Sequence, residues 1–230
     1  MNKEEFKQEL KKLNIDITEN QMTKLEEYYN MLIETNKTTN LTRITEKQEV
    51  YLKHFYDSLT IAKVIKLENQ KLIDIGTGAG FPGIVLKIIY PNLDITLLDS
   101  SQKRIDFLNR VIEQLDLKKI KTVHERIEDY QKETFDIVTS RAVSKTNILV
   151  ELACNLAKPH GYYIFLKGNL DEELKESQNA IKTLNMKLIE KQEFKLPKEQ
   201  SNRTIIKIEK IKNSPKEYPR NFTKIKKNPL

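Results

Sequence analysis

The spacing of apolar residues divides the chain into two parts with different predicted secondary structure. In residues 3–13 and 19–35, apolar side chains recur every three or four positions, which predicts amphipathic helices. Thr18 is predicted to cap the second helix. Two shorter helices are predicted over residues 46–56 and 58–65, with a break between them. The part of the chain before residue 71 is therefore predicted to be helical.

From residue 71 onward, short apolar strands alternate with helical stretches. The predicted strands are residues 72–75, 94–98, 120–124, 135–140, 162–167, 187–194 and 204–211, and the predicted helices are residues 82–89, 101–115, 147–157 and 171–184. This alternation predicts an α/β fold with a doubly wound, mostly parallel seven-stranded sheet. The last two strands are expected to form an antiparallel pair.

Charge is distributed unevenly along the 230 residues, which carry a net charge of +7. Residues 182–230 hold 14 basic and 5 acidic side chains. Three prolines lie among lysines and asparagines in residues 212–230, which are predicted to form a flexible basic tail. We therefore predict three parts: an N-terminal helical extension (1–70), a sheet domain (71–211) and the tail (212–230). The basic end favours a polyanionic partner, although a solubilising role is equally compatible with its charge.

Composition excludes several classes of protein. Cys154 is the single cysteine, so a disulfide framework and a multi-cysteine metal site are excluded. The start of the chain lacks the apolar region of an export signal, and its apolar stretches are too short to span a bilayer. Three scattered histidines do not form a metal-binding pattern. These features predict a cytoplasmic protein with no metal and no membrane partner.

A glycine-rich turn after the first predicted strand indicates a nucleotide cofactor. Gly76, Gly78 and the glycines that follow allow the backbone to approach a ligand closely. Such a turn can bind the pyrophosphate of NAD at a helix N-terminus. Asp74, two residues before the first glycine, would repel a pyrophosphate but would suit the cationic S-adenosylmethionine (SAM). Asp99, at the end of the second strand, is expected to bind ribose hydroxyls of either cofactor.

Motifs along residues 20–210 resemble those of the bacterial small-subunit ribosomal RNA guanine-N7 methyltransferases (RsmG, also called GidB). The resemblance rests on Asn40-Leu41-Thr42, His54–Ser58, Asp74–Gly83, Leu98-Asp99-Ser100, Lys103-Arg104, Ser140-Arg141-Ala142 and Leu166-Lys167-Gly168. It implies a Rossmann-like class I SAM methyltransferase that acts on 16S ribosomal RNA in the small (30S) ribosomal subunit. It also implies that Gly76 and Phe81 line the SAM pocket, that Ile127 and Glu128 meet the adenine, and that Arg141 lies at the reactive end of the cofactor.

Methylation at guanine N7 places few demands on the enzyme, because N7 already has an in-plane lone pair and needs no general base. Arg141 is expected to orient the substrate or the cofactor, or else to form an ion pair with a neighbouring carboxylate. His54 is predicted either to contact substrate or to bond Asp57, three residues away. Asn40 and Lys167 are the remaining candidate substrate contacts, with Lys167 expected to bind phosphate.

Two other functions remain compatible with the sequence alone. The glycine turn would serve an NAD-dependent oxidoreductase, although Asp74 opposes it and no hydride-site histidine is obvious. A ribosome-associated binding protein without turnover would keep the same fold. The chain is expected to act as a monomer.

Overall fold

A computed structural model describes residues 1–130, 132–141, 143–168 and 170–230, with the backbone alone at residue 171. Its centre is a seven-stranded sheet in the order β3-β2-β1-β4-β5-β7-β6. The strands are β1 (Lys71–Ile75), β2 (Asp94–Asp99), β3 (Ile120–His124), β4 (Phe135–Arg141), β5 (Ala157–Lys167), β6 (Met186–Lys195) and β7 (Asn202–Lys210). The first five strands pair in parallel, and β7 pairs antiparallel with both β5 and β6. The predicted α/β fold with a mostly parallel sheet is confirmed.

Ten α-helices surround the sheet in the described part of the chain. They are α1 (Lys3–Lys11), α2 (Glu19–Asn36), α3 (Lys47–Val50), α4 (Asp57–Leu59), α5 (Gly83–Ile89), α6 (Gln102–Gln114), α7 (Thr146–Leu152), α8 (Asp171–Glu176), α9 (Gln178–Thr183) and α10 (Phe222–Lys227). Thr18 caps α2 as predicted, and its side chain accepts a hydrogen bond from the backbone of Gln21. The helix predicted over residues 171–184 is divided at Ser177. The Ser177 hydroxyl donates to the Glu173 carbonyl at 2.6 Å, a local bond that competes with regular helix formation.

The predicted break near Asp57 is wrong. Helical backbone continues from α3 through a π-helix (Tyr51–Tyr56), α4 and a short 3₁₀-helix (Thr60–Lys63). A π-helix contains more residues per turn than an α-helix and is frequent at functional sites. It lies where His54 is brought toward the sheet, and the apolar spacing alone gave no signal for it.

The N-terminal helices pack on the sheet and share its core. Phe6 and Leu10 of α1 belong to the same buried cluster as Leu72 of β1, whereas Ile73 belongs to a second cluster on the opposite face. The alternation follows from the two-residue period of a strand. The helices predicted as an extension therefore cover one face of the sheet, next to the glycine turn.

The C-terminal segment differs from the flexible tail predicted for residues 212–230. Arg220 donates from Nε and Nη2 to the two carboxylate oxygens of Glu151, both at 2.6 Å, and Glu151 is fully buried. Ile225, in α10, is also fully buried. Because a buried carboxylate needs a charged partner, the Arg220–Glu151 pair holds the segment in place, and the buried Ile225 anchors it further. The prolines and lysines of the segment indicated a flexible tail and gave no sign of these two contacts.

Candidate functional site

The turn after β1 has the backbone geometry that its glycines predicted. Gly76 and Gly78 have φ angles of +65° and +62°, which side chains other than glycine adopt at a cost. A Cβ on Gly76 would lie 2.6 Å from Val143 Cγ2, whereas a Cβ on Gly78 would meet nothing within 4 Å. Gly78 therefore borders open space, and its small size keeps that space free.

Asp74 lies behind the turn and does not line the cavity in front of it. Its side chain is fully buried, and Oδ2 accepts hydrogen bonds from Thr77 Oγ1 at 2.6 Å and from the Gly83 backbone at 2.8 Å. The sequence led us to expect a carboxylate aimed at a cationic cofactor. Leu72 and Asp74 share one face of β1 because strand side chains alternate, and that face lies beneath α5.

Burial raises the pKa of Asp74 to about 7, against the opposing effect of its two hydrogen bonds. Oδ1 is buried and has no hydrogen-bond partner among the described residues. A raised pKa means that the folded protein favours the protonated form of Asp74. The resulting stabilisation is complete below about pH 4 and is lost as the pH rises through about 7. Asp74 therefore acts in the structure as an acceptor that holds the turn.

We expect Asp74→Asn to preserve the turn and Asp74→Ala to weaken it. Asparagine retains an oxygen for Thr77 and Gly83, whereas alanine leaves a buried N–H unsatisfied, at a cost of about 1–3 kcal/mol. Because asparagine does not ionise, the stability of Asp74→Asn relative to the parent should increase by about 2.6 kcal/mol between pH 5 and pH 8. Urea unfolding at the two pH values measures this, and a difference that does not change with pH would contradict the role.

Asp99 lies at the front of the turn, at the end of β2, where it was predicted. Oδ1 accepts from the Ser101 backbone at 2.9 Å, and Oδ2 accepts from the Gly78 backbone at 2.9 Å. Arg104 Nη1 lies 3.2 Å from Oδ2. These contacts fix the carboxylate at the wall of the cavity, with lone pairs remaining for ligand hydroxyls.

A cavity of about 540 Å³ opens at the carboxyl ends of the parallel strands, where ligands bind in such sheets. Among its lining residues are the predicted Gly76, Gly78, Phe81, Asp99, Ile127, Glu128, Arg141 and His54. Thr42, Arg126, Val143 and Phe222 also line it, although they were not predicted as site residues. The structure therefore brings eight of the predicted site residues to one cavity.

Arg141 connects the cavity to a buried polar network. Nη1 donates to the Lys53 carbonyl at 2.7 Å and contacts Asp57 Oδ2 at 3.4 Å, while Nη2 lies 2.9 Å from His54 Nδ1. The ion pair considered for Arg141 in the sequence is thus present, and the residue also faces the cavity. Within the described structure, the guanidinium keeps two N–H groups that no protein acceptor takes.

His54 is held neutral at the end of this network. Burial, and then the charge of Arg141, lowers the pKa of His54 to about 3. Nδ1 accepts from Arg141, so Nε2 carries the proton and donates to Thr42 Oγ1 at 2.9 Å. The ring stacks on Phe81 with centroids 4.4 Å apart. The sequence offered a direct His54–Asp57 hydrogen bond as one alternative. In the structure the two residues are instead connected through Arg141.

Arg203 is the member of the network that sequence reasoning missed. It lies on β7, and its Nε donates to Asp57 Oδ1 at 3.1 Å. Asp57 is therefore shared by two arginines that come from different strands. No local motif marks Arg203, because the contact joins residues 146 positions apart.

Two predicted substrate residues lie outside the cavity. Asn40 is exposed on the loop whose next residues, Leu41 and Thr42, line the cavity. Lys167 is almost fully buried and bonds the Ser144 carbonyl and Glu173 Oε1. Because its ammonium group is already held by a carbonyl and a carboxylate, Lys167 does not serve as the phosphate contact that was predicted.

The residues that line the cavity fit SAM. Gly78 leaves room for close approach of a ligand, and Asp99 offers acceptors for hydroxyl groups. Phe81 and Val143 add apolar surface, and the volume falls within the range of ligand pockets, about 300–1,000 Å³.

None of the helices in the described ranges is long and apolar enough to cross a bilayer. Over the same ranges, no cluster of His, Cys, Asp and Glu side chains is suited to hold a metal ion.

Comparison with known proteins identifies close relatives. The family model "rRNA small subunit methyltransferase G" (GidB) matches residues 21–205. Ribosomal RNA small subunit methyltransferase G of Lachnoclostridium phytofermentans is 47% identical, with 98% of this chain and 96% of that protein covered. The protein of the same name from Desulforamulus reducens is 46% identical, with 94% and 92% covered. In fold, the chain is similar to M. jannaschii TYW2 in complex with AdoMet, with 16% identity, a TM-score of 0.59, and 74% of this chain and 80% of that one covered.

Proposed function

Because the chain belongs to the rRNA small subunit methyltransferase G family, we propose that it uses SAM to methylate N7 of a guanine in 16S ribosomal RNA. The family removes the NAD-dependent oxidoreductase from consideration. When bound, SAM supplies an electrophilic methyl group on a cationic sulfur.

One observation carries the choice of N7: the titratable groups of the Arg141 network are already engaged. His54 is neutral, and both of its ring nitrogens have partners. Asp57 is held by Arg141 and Arg203. A site of this kind has no free base among these groups, which suits a substrate atom that already bears its lone pair. Catalysis then depends on alignment of the reacting atoms.

Different residues of the cavity are proposed to bind different parts of the cofactor and the substrate. We assign Asp99 to the ribose hydroxyls of the cofactor, the Gly76–Gly78 backbone to close contact with it, and Ile127 and Glu128 to its adenine. Phe81 and His54 form an aromatic wall. The two remaining N–H groups of Arg141 are the donors that orient the guanine or the cofactor carboxylate.

The substrate side of the proposal rests on position and charge. Asn40 lies on an exposed loop beside the cavity, where it would meet an unstacked base. The excess of basic side chains over residues 182–230 would attract the phosphates of ribosomal RNA. We propose that the protein acts as a monomer, and ribosomal substrates imply a cytoplasmic location.

The test is methyl transfer to small ribosomal subunits that lack the modification. Subunits from a strain without this activity, incubated with the protein and methyl-tritiated SAM, should gain about one methyl group per particle, and nucleoside mass spectrometry should identify N7-methylguanosine. Binding of SAM without transfer to subunits or to naked 16S RNA would indicate a binding protein without turnover. Methylation of another base atom would contradict the assignment to N7.

A further inference from the structure

The C-terminal segment places an aromatic side chain at the cavity. Phe222, the first residue of α10, lines the cavity and is 39% exposed. Of the four large apolar side chains that are most exposed in the described structure, Phe222 and Val143 both line this cavity. Exposure of apolar side chains to water is unfavourable. Because two of these four side chains line the same cavity, we expect a ligand to cover them.

Phe222 is held there by specific anchors. Arg220, two residues earlier, forms the bidentate pair with the fully buried Glu151 at the end of α7. The Asn221 side chain accepts from the Lys224 backbone at 2.9 Å and caps α10. Ile225 is buried beneath the helix. With the chain fixed on both sides, the position of Phe222 is determined by the fold.

The end of the cavity that Phe222 occupies can be deduced from the sheet order. The Arg126 guanidinium lies 6.0 Å from the centre of the Phe222 ring, and Arg126 follows β3. Because β3 lies beyond β2 relative to β1, the loop after β3 lies beyond Asp99 when viewed from the glycine turn. A nucleoside whose ribose is bound by Asp99 would therefore extend its base toward Arg126 and Phe222.

We infer that Phe222 is a cofactor-binding residue that packs against the adenine of SAM, so that the C-terminal segment completes the cofactor site. This inference rests on the proposed use of SAM. An aromatic ring in contact with a purine typically contributes enough affinity for its removal to weaken binding roughly tenfold. The family model ends at residue 205, so the segment lies outside the residues that this model matches.

The experiment is calorimetric titration of SAM and of adenosine into the parent protein and three variants. Phe222→Ala should weaken both ligands by the same factor, roughly tenfold. Phe222→Tyr should bind like the parent, because it keeps an aromatic ring. Lys226→Ala, on the same helix and outside the cavity lining, is the matched control and should also bind like the parent. Thermal unfolding of each variant reports whether the fold is intact.

The outcomes separate the inference from the proposed function. If the parent does not bind SAM, the proposed function fails. If the parent binds SAM and a folded Phe222→Ala binds it equally well, the inference is overturned while the function stands. If Phe222→Ala weakens SAM but not adenosine, the ring contacts the other end of the cofactor and the assignment to adenine is overturned.

Discussion

Replacement of Gly78 by valine is expected to abolish SAM binding while the protein remains folded. A Cβ at this position meets no protein atom within 4 Å, so the valine side chain would occupy space that we assign to the ligand. The left-handed φ angle adds strain of about 1–3 kcal/mol, which lowers stability without destroying the fold. The expected loss of affinity is about a hundredfold or more, equivalent to about 3 kcal/mol.

Titration calorimetry with SAM measures this loss, and thermal unfolding reports the strain separately. Gly168→Val is the matched control for added volume, because a Cβ on Gly168 also meets nothing within 4 Å and Gly168 does not line the cavity. This control should bind SAM like the parent. Undiminished affinity in a folded Gly78→Val would show that the ligand binds elsewhere.

Arg141→Lys is expected to lower methylation of small ribosomal subunits by roughly a hundredfold. Lysine keeps the positive charge beside Asp57, but a single ammonium cannot reach the Lys53 carbonyl, His54 Nδ1 and the cavity together. Loss of one hydrogen bond from this charged group to the ligand costs about 1.5–3 kcal/mol, which corresponds to roughly a tenfold to hundredfold change. Initial rates of tritium incorporation, with SAM at saturation, measure the effect.

Stability must be measured beside the rate, because Arg141 also holds a buried carboxylate. In Arg141→Lys, Asp57 still has Arg203 at 3.1 Å, so we expect the free energy of unfolding to fall by only about 1–2 kcal/mol. Arg110→Lys, at a weak surface contact 3.4 Å from Thr35, is the control and should retain the parental rate. A parental rate in a folded Arg141→Lys would remove Arg141 from the reaction.

The sheet and the glycine turn were predictable because their signals are local. Alternation of apolar runs with helical spacing identified the parallel strands, and Gly76 and Gly78 adopt the left-handed angles that only glycine favours. Asp99 was predicted at the cavity because its position at a strand end is sufficient to place it. These features depend on a few neighbouring residues, so the sequence carries them directly.

The direction of the Asp74 side chain could have been predicted from the sequence. Alternation along β1 places it on the face of Leu72, beneath α5. Its negative charge and its closeness to the glycines instead favoured a position facing the cationic cofactor. The strand period was the stronger constraint, since the face of a strand is set by the backbone.

The remaining errors concern contacts between distant parts of the chain. Lys167 could be placed at the edge of the sheet, but its pairing with Glu173 depends on where α8 lies. The C-terminal segment appeared to be a solvated tail because its partner, Glu151, lies in a helix nearly 70 residues earlier. A single sequence contains no signal for either pairing.

The position of Asp57 has a consequence for how the protein folds. Its two arginine partners lie 84 and 146 residues further along the chain, and contacts of such separation close late because of the loop entropy that they must overcome. Helices and neighbouring parallel strands can form while Arg141 still lacks its acceptor. Competence to bind ligand should therefore emerge with the slowest phase of refolding, after most secondary structure has been recovered.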